Sequence, residues 1–360
     1  MNVTVLNIPQ FTKEVGHGTP HRQQWLEPVG RSRVPFPSLR SGWPIIVAHS
    51  DYHDMSHIRL LSPIGNDTLE MSTKKVLMSS IVAVHGIGNI REDLTTLEAA
   101  ASLEIEWSEA LAYGLHHAGQ GVATPVMRVA YYADLLADLE PQAGERELES
   151  LSPEEAELMA HWLRANGVRD EEEQGLLTLW LRQGVSRLAL RRGGSSKVLG
   201  RVGAAFAAEV YSYLTRPERR RRARAVVTDL IEEVRPAVVL AHSLGSVVTY
   251  EALHAVRPPL NVELLVTLGS PLGMPGVYEA LEPEPTIRHA ARPPRLKRWV
   301  NIADRGDVVA VPAMLGGYFD VDWHVEAVIA PVDFHRMAHY LRCGETAIAI
   351  AAYISPRLRH

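Results

Sequence analysis

Along residues 81–354 the hydrophobic positions keep changing period, short β-rich runs alternating with longer stretches spaced for a helix. IVAV (81–84) is a strand-like run, and residues 92–118 carry apolar positions at helical spacing (Leu94, Leu97, Ala101, Ile105, Leu111, Leu115). VMRVAYYA (126–133) again reads as a strand. A charge-rich helical block follows from about 136 to 215, in which SPEEAELMAHWLRANG (152–167) opens with the Ser-Pro-Glu-Glu of a helix N-terminus. The block ends in a Gly- and Ser-containing connection, RRGGSSKVLGRVG (191–203), before a helix over 217–234. Strand 237–241, helix 244–256, strands 263–268, 298–303 and 318–327, and a last helix over 343–354 complete the pattern. Such alternation predicts an α/β domain, a mostly parallel central sheet flanked by helices, with the helical block as an inserted cap.

Residues 1–77 have no sustained period and scattered Pro, Gly, His and Arg, the composition of a poorly ordered N-terminal extension. Met71 and Met78 stand just before the first strand, so translation is expected to start at one of them. With 46% hydrophobic residues in 360 the chain can bury a large core. A net charge of −5 gives no general attraction to nucleic acid or anionic lipid. Cys343 is alone, which excludes an intrachain disulfide and fits a reducing compartment. The longest apolar runs fall far short of the roughly 20 residues of a membrane helix, and the N-terminus lacks the layout of a signal peptide. A cytoplasmic location without stable membrane insertion is therefore expected.

The chemistry begins at VVLAHSLGSVV (238–248), where a strand breaks at His-Ser-Leu-Gly and a helix follows at once. Such a turn exposes the Ser243 hydroxyl, and small residues at Ala241 and Gly245 let neighbouring backbone approach. The Leu244 N–H and the positive end of the helix dipole then lie beside any oxyanion formed there. A second donor is available from His85-Gly86-Ile87-Gly88, directly after strand 81–84, where a glycine-permitted turn can aim the Ile87 N–H at the same point.

AHSLGS together with VHGIGN resembles the lipase and esterase branch of the α/β-hydrolase superfamily, over about residues 78–356 with the cap matching least. Ala241 stands where that pattern has Gly, a difference of one methyl group. The resemblance implies a serine hydrolase whose triad runs Ser, acid, His along the chain. The acid is expected after strand 298–303, in Asp304-Arg305-Gly306-Asp307-Val308-Val309, with Asp307 first and Asp304 in reserve. The histidine is expected at His339 in HRMAHYL, with His335 second and His324 inside a strand. Ile87 and Leu244 are expected to supply the oxyanion hole, and His85, His242 and Ser270 of LGSPLG to surround the substrate. No metal or cofactor is required, and HGIGN fits neither a P-loop nor a dinucleotide fingerprint.

The expected reaction is hydrolysis of a carboxylic ester, small-molecule or lipid-like, through a Ser243 acyl-enzyme. An amidase, peptidase or thioesterase on the same fold, and a non-catalytic binding protein, are the alternatives. His49, His53 and His57 have the i, i+4, i+8 spacing of a metal site but lack a fourth ligand. The arginine run ERRRRARA (218–225) reads as a solvated helix face rather than a nucleic-acid patch. The amphipathic stretch 175–190 reads as a lid forming an acyl pocket.

Overall fold

Parallel strands covered on both faces need near-continuous apolar sequence. Strands β1 (Ser80–Val84), β3 (Val238–His242) and β4 (Val262–Leu268) have it, almost every residue being buried. With β2 (Val126–Ala130), β5 (Leu296–Asp304) and β6 (Trp323–Ala327) they form an all-parallel six-stranded sheet in the order β2-β1-β3-β4-β5-β6. Val84 pairs with Ala241 and His242 with Leu268, so the carboxyl ends of the three central strands lie nearly flush. This computed structural model describes residues 80–136, 148–169, 177–286, 289–329 and 335–355.

The helices are α1 (Thr96–His117), α2 (Ala133–Leu136), α3 (Pro153–Ala165), α4 (Leu177–Arg192), α5 (Ser196–Thr215), α6 (Pro217–Val234), α7 (Leu244–Ala255), α8 (Met337–Arg342) and α9 (Gly344–Ile354). One core packs α3 to α7 against residues such as Val82, Val84, Val239 and Leu265. The other packs α1, α8 and α9 against Ile81, Ala83, Leu240 and Val266. Alternate side chains of the central strands thus feed opposite cores, the geometry of an α/β sheet covered on both faces.

Several expectations shift in detail. Helix α1 starts at Thr96 rather than 92 because Thr95 and Glu98 form a capping box. Its buried stripe is Ala99, Leu103, Trp107, Leu111 and Leu115, whereas Leu94, Leu97, Ala101 and Ile105 are exposed. Gly114 sets that rotation, since a Cβ there would stand 2.3 Å from the Leu341 carbonyl oxygen. Most of the connection 191–203 is helical, α5 starting at Ser196 behind the Ser195 N-cap. Strand β6 spans only 323–327, and the last helix is preceded by the short α8. The N-terminal extension, the candidate start sites and His49, His53 and His57 lie outside the described residues.

The arginine run is not a uniformly solvated face. Arg220 is buried, its guanidinium held by both oxygens of Glu251 on α7, to which Tyr213 also donates at 2.6 Å. Arg219 donates to the Leu136 carbonyl at 2.8 Å, and Arg224 pairs with Glu282 at 2.5 Å. Arg221, paired with exposed Glu218, keeps the solvated role. A buried carboxylate–guanidinium pair with these extra bonds ties α5, α6 and α7 together.

Candidate active site

The chain runs from β1 outward to β2 and later returns to the other side of β1 as β3, which makes the crevice between β1 and β3 the topological switch point. In open parallel sheets ligand sites form there, outside the carboxyl ends of the strands. Both singled-out motifs sit at this point, the His85–Gly88 loop after β1 and Ser243 after β3.

Ser243 has φ +52° and ψ −130°, one of only a few non-glycine residues with positive φ among the described residues. A serine held there costs on the order of 1–3 kcal/mol, which the surroundings must enforce. They do so by close approach. A Cβ on Gly86 would fall 2.3 Å from the Ser243 Cβ, and one on Gly245 would fall 2.3 Å from the His85 carbonyl oxygen. The Ser243 N–H donates to the Leu268 carbonyl and the Ser246 N–H to the Ser243 carbonyl, closing the turn into α7.

The Ser243 hydroxyl lies 2.8 Å from His335 Nε2. On the other side of that ring, His335 Nδ1 lies 2.8 Å from Asp307 Oδ2 and 2.9 Å from Oδ1. A carboxylate can only accept, so Nδ1 carries the proton and Nε2 is left to accept from Ser243. The histidine at the serine is therefore His335 and not His339. Four residues further on, His339 belongs to α8, whose buried face is Met337, Tyr340 and Leu341. His324 lies on β6, where its Nδ1 accepts from the Leu315 N–H.

Asp307 rather than Asp304 faces the imidazole. Its buried carboxylate also accepts from the Val309 and Ala310 N–H groups and from the Tyr340 hydroxyl at 2.7 Å. Asp304 accepts from the Gly306 and Ile329 N–H groups and so shapes the turn that delivers Asp307. Tyr340, passed over in the sequence, bridges the two, its oxygen accepting from the Asp304 N–H at 2.9 Å. Burial raises its phenol well above the ordinary value, with Asp307 adding to the effect, so it stays a donor. Gly269, at φ +55°, makes room: a Cβ would stand 2.7 Å from Asp307 Oδ2.

The loop after β1 is ordered by its own side chains. Gly86 O accepts from His85 Nδ1 at 2.8 Å and from Asn89 Nδ2, which also bonds Ile87 O. His85 Nε2 accepts from the Tyr132 N–H, and the Tyr132 hydroxyl donates to the His85 carbonyl. Burial lowers the His85 imidazole to about 4, its bond to Gly86 and the nearby Asp134 opposing the shift only in part. A neutral ring is what this bonding pattern requires.

Of the three residues expected around a substrate, two are occupied elsewhere. His85 is the loop's internal brace. Ser270 is buried and shares a 2.7 Å hydrogen bond with Ser246. His242 does line a cavity, its ring 4.8 Å from that of His335. Burial holds it well below the usual imidazole range, with His335 and His85 adding, and neither ring nitrogen has a hydrogen-bond partner among the described residues.

That cavity, about 370 Å³, reaches the site from the α1 side and is walled by Ile87, Asn89, Arg91, Glu106, Trp107 and Arg336 among others. Among the described residues of stretch 175–190, which are 177–190, none lines it; Leu181, Val185 and Leu188 are packed into the core instead. A larger cavity, about 490 Å³, lies at the opposite ends of the strands around Arg235, Arg257 and Arg295, away from this constellation. Ser243 has no exposed surface, so a substrate reaches it only if a neighbouring group gives way. Among the described residues no cluster of His, Cys, Asp or Glu is placed to hold a metal ion, and no helix is long and apolar enough to cross a membrane. Comparison with protein-family models, with curated proteins and with solved structures finds no match, so the chemistry of the site must be read from its own residues.

Proposed function

We propose that this chain is a serine hydrolase of the α/β-hydrolase fold that cleaves carboxylic esters through an acyl-enzyme on Ser243. The observation that carries the reading is the chain of contacts Ser243–His335–Asp307, joined at 2.8 Å on each side of the imidazole and delivered by a strained strand-to-helix turn. A serine hydroxyl is a weak nucleophile until a base accepts its proton. His335 Nε2 takes the proton as Ser243 Oγ adds to the carbonyl, and Asp307 holds the tautomer and stabilises the imidazolium. The tetrahedral oxyanion is bound by the Ile87 and Leu244 N–H groups. His335 then protonates the leaving alcohol as the carbon–oxygen bond breaks, and water, deprotonated by the same imidazole, releases the acid.

The loop's hydrogen bonds support the role given to Ile87. They engage the carbonyls of His85, Gly86, Ile87 and Asn89, and leave the Ile87 N–H unbonded among the described residues. A cavity near the small end of the roughly 300–1,000 Å³ common for ligand sites, walled by Asn89, Arg91, Glu106 and Arg336, favours a compact polar ester over a long acyl chain. The test is labelling with a fluorophosphonate followed by mapping of the modified residue, together with a series of p-nitrophenyl esters of increasing acyl length. Label on Ser243 and turnover falling with chain length are expected. A folded protein that neither labels nor turns over any ester contradicts the proposal.

A further inference from the structure

Glu209 stands on α5, in the helical block between β2 and β3, yet its Oε1 accepts from the Gly88 N–H at 2.8 Å across 121 residues of sequence. The Ile87–Gly88 peptide is thereby held at both ends, its carbonyl by Asn89 and its N–H by Glu209. The preceding peptide is held at its carbonyl by His85 and Asn89. Among the described residues, every hydrogen-bond anchor of this loop except Glu209 comes from the loop itself or from the segment just after β2. Gly88 has φ +71° and no neighbour within 4 Å of a built Cβ, so packing does not fix this corner. Its amide hydrogen bond does.

We propose that Glu209 is a positioning residue: its carboxylate, carried by the helical block, fixes the Ile87–Gly88 peptide so that the Ile87 N–H faces the Ser243 hydroxyl. The proposal rests on the reading of Ser243 as nucleophile. The same block touches the other side of the site, Asn166 Nδ2 donating at 2.8 Å to the carbonyl of Val308, next to Asp307. The block therefore contacts both catalytic loops through polar bonds, and it does so outside the 370 Å³ cavity, which neither Glu209 nor Asn166 lines. An effect on turnover separate from substrate affinity follows.

The experiment compares wild type with Glu209→Ala and Glu209→Gln, reading kcat and KM on a short ester, the rate of fluorophosphonate labelling, and amide exchange of a peptide covering residues 85–90. Losing one oxyanion donor typically lowers kcat about 100- to 1,000-fold, so a loosened donor in Glu209→Ala is expected to cost about tenfold or more with KM within about twofold. Gln keeps the acceptor oxygen and is expected to restore both kcat and the slow exchange of this segment. Should Glu209→Ala fail to fold, Glu209→Asp, which withdraws the acceptor by one methylene, is expected to show a lowered kcat instead. Full kcat in Glu209→Ala, or Gln as impaired as Ala, overturns the proposal. Wild type that neither labels nor turns over overturns the assignment of Ser243 itself, and is told apart from those outcomes because no substitution at Glu209 is needed to see it.

Discussion

Replacing Tyr340 by Phe isolates one oxygen atom that serves both aspartates. The ring is fully buried against the core formed with α1 and α9 and stays there in the variant. Two groups lose a partner: the buried Asp304 N–H, bonded at 2.9 Å, and the Asp307 carboxylate, bonded at 2.7 Å. A buried N–H left unsatisfied costs about 1–3 kcal/mol, and a hydrogen bond to a charged group contributes about 1.5–3 kcal/mol. Asp307 keeps its bonds from Val309, Ala310 and His335, so its loss lies at the low end. The sum is about 3 kcal/mol. Urea unfolding is the assay, and the midpoint should fall with the slope unchanged. The weakened hold on Asp307 should also lower kcat by about tenfold through His335, as expected of a group that orients a catalytic base. A Phe variant within about 0.5 kcal/mol of wild type, below the usual worth of one such bond, would refute the bridging role.

Other substitutions read the rest of the framework. His85 has its imidazole lowered from 6.5 to about 4 in the folded protein, so its contribution is present above pH 6.5 and is lost as pH falls toward 4. That shift corresponds to about 3 kcal/mol; urea midpoints measured across this range should drop, and His85→Gln should flatten the dependence. Glu251→Ala leaves the buried Arg220 with only the exposed Glu282 as an ion-pair partner and should destabilise by about 3 kcal/mol, the low end for breaking a buried pair. Replacing both partners by apolar residues of similar volume should recover much of that loss, which thermal unfolding of the two variants can decide. At Gly245, a Cβ would meet the backbone of Val84 and His85 at 2.7 and 2.3 Å. Gly245→Ala should therefore abolish fluorophosphonate labelling even where circular dichroism reports a folded chain.

The sheet was legible because strands buried on both faces must be apolar throughout, and few residues outside the strands satisfy that. Ser243 was legible for a related reason: Ala241 and Gly245, small residues two positions away on each side of a serine between strand and helix, mark a turn that neighbouring backbone approaches closely. Only the family resemblance ordered Asp307 before Asp304, and what separates them physically is Tyr340 and the Val309 and Ala310 amides that converge on one carboxylate. His335 and His339 lie four residues apart, and only the start of α8 at Met337 decides which stands before the helix and which within it. The face of α1 differs because Leu97, Ala101 and Ile105 share the i, i+4 spacing of Ala99, Leu103 and Trp107, and the contact of Gly114 with α8 that chooses between them is non-local. Arg220 hid in a run of arginines, of which Arg221 and Arg222 are exposed, because its partner Glu251 lies 31 residues away. Glu209 left no local signal at all.

The assignment of His335 as the base for Ser243 is tested most directly by the rate of Ser243 phosphonylation by a small fluorophosphonate in wild type, His335→Ala and His339→Ala. Removing a triad base typically lowers the rate by several powers of ten, so labelling is expected to collapse by about 1,000-fold or more in His335→Ala and to stay near wild type in His339→Ala. Labelling that survives the loss of His335, or that vanishes with the loss of His339 in a folded protein, contradicts the triad.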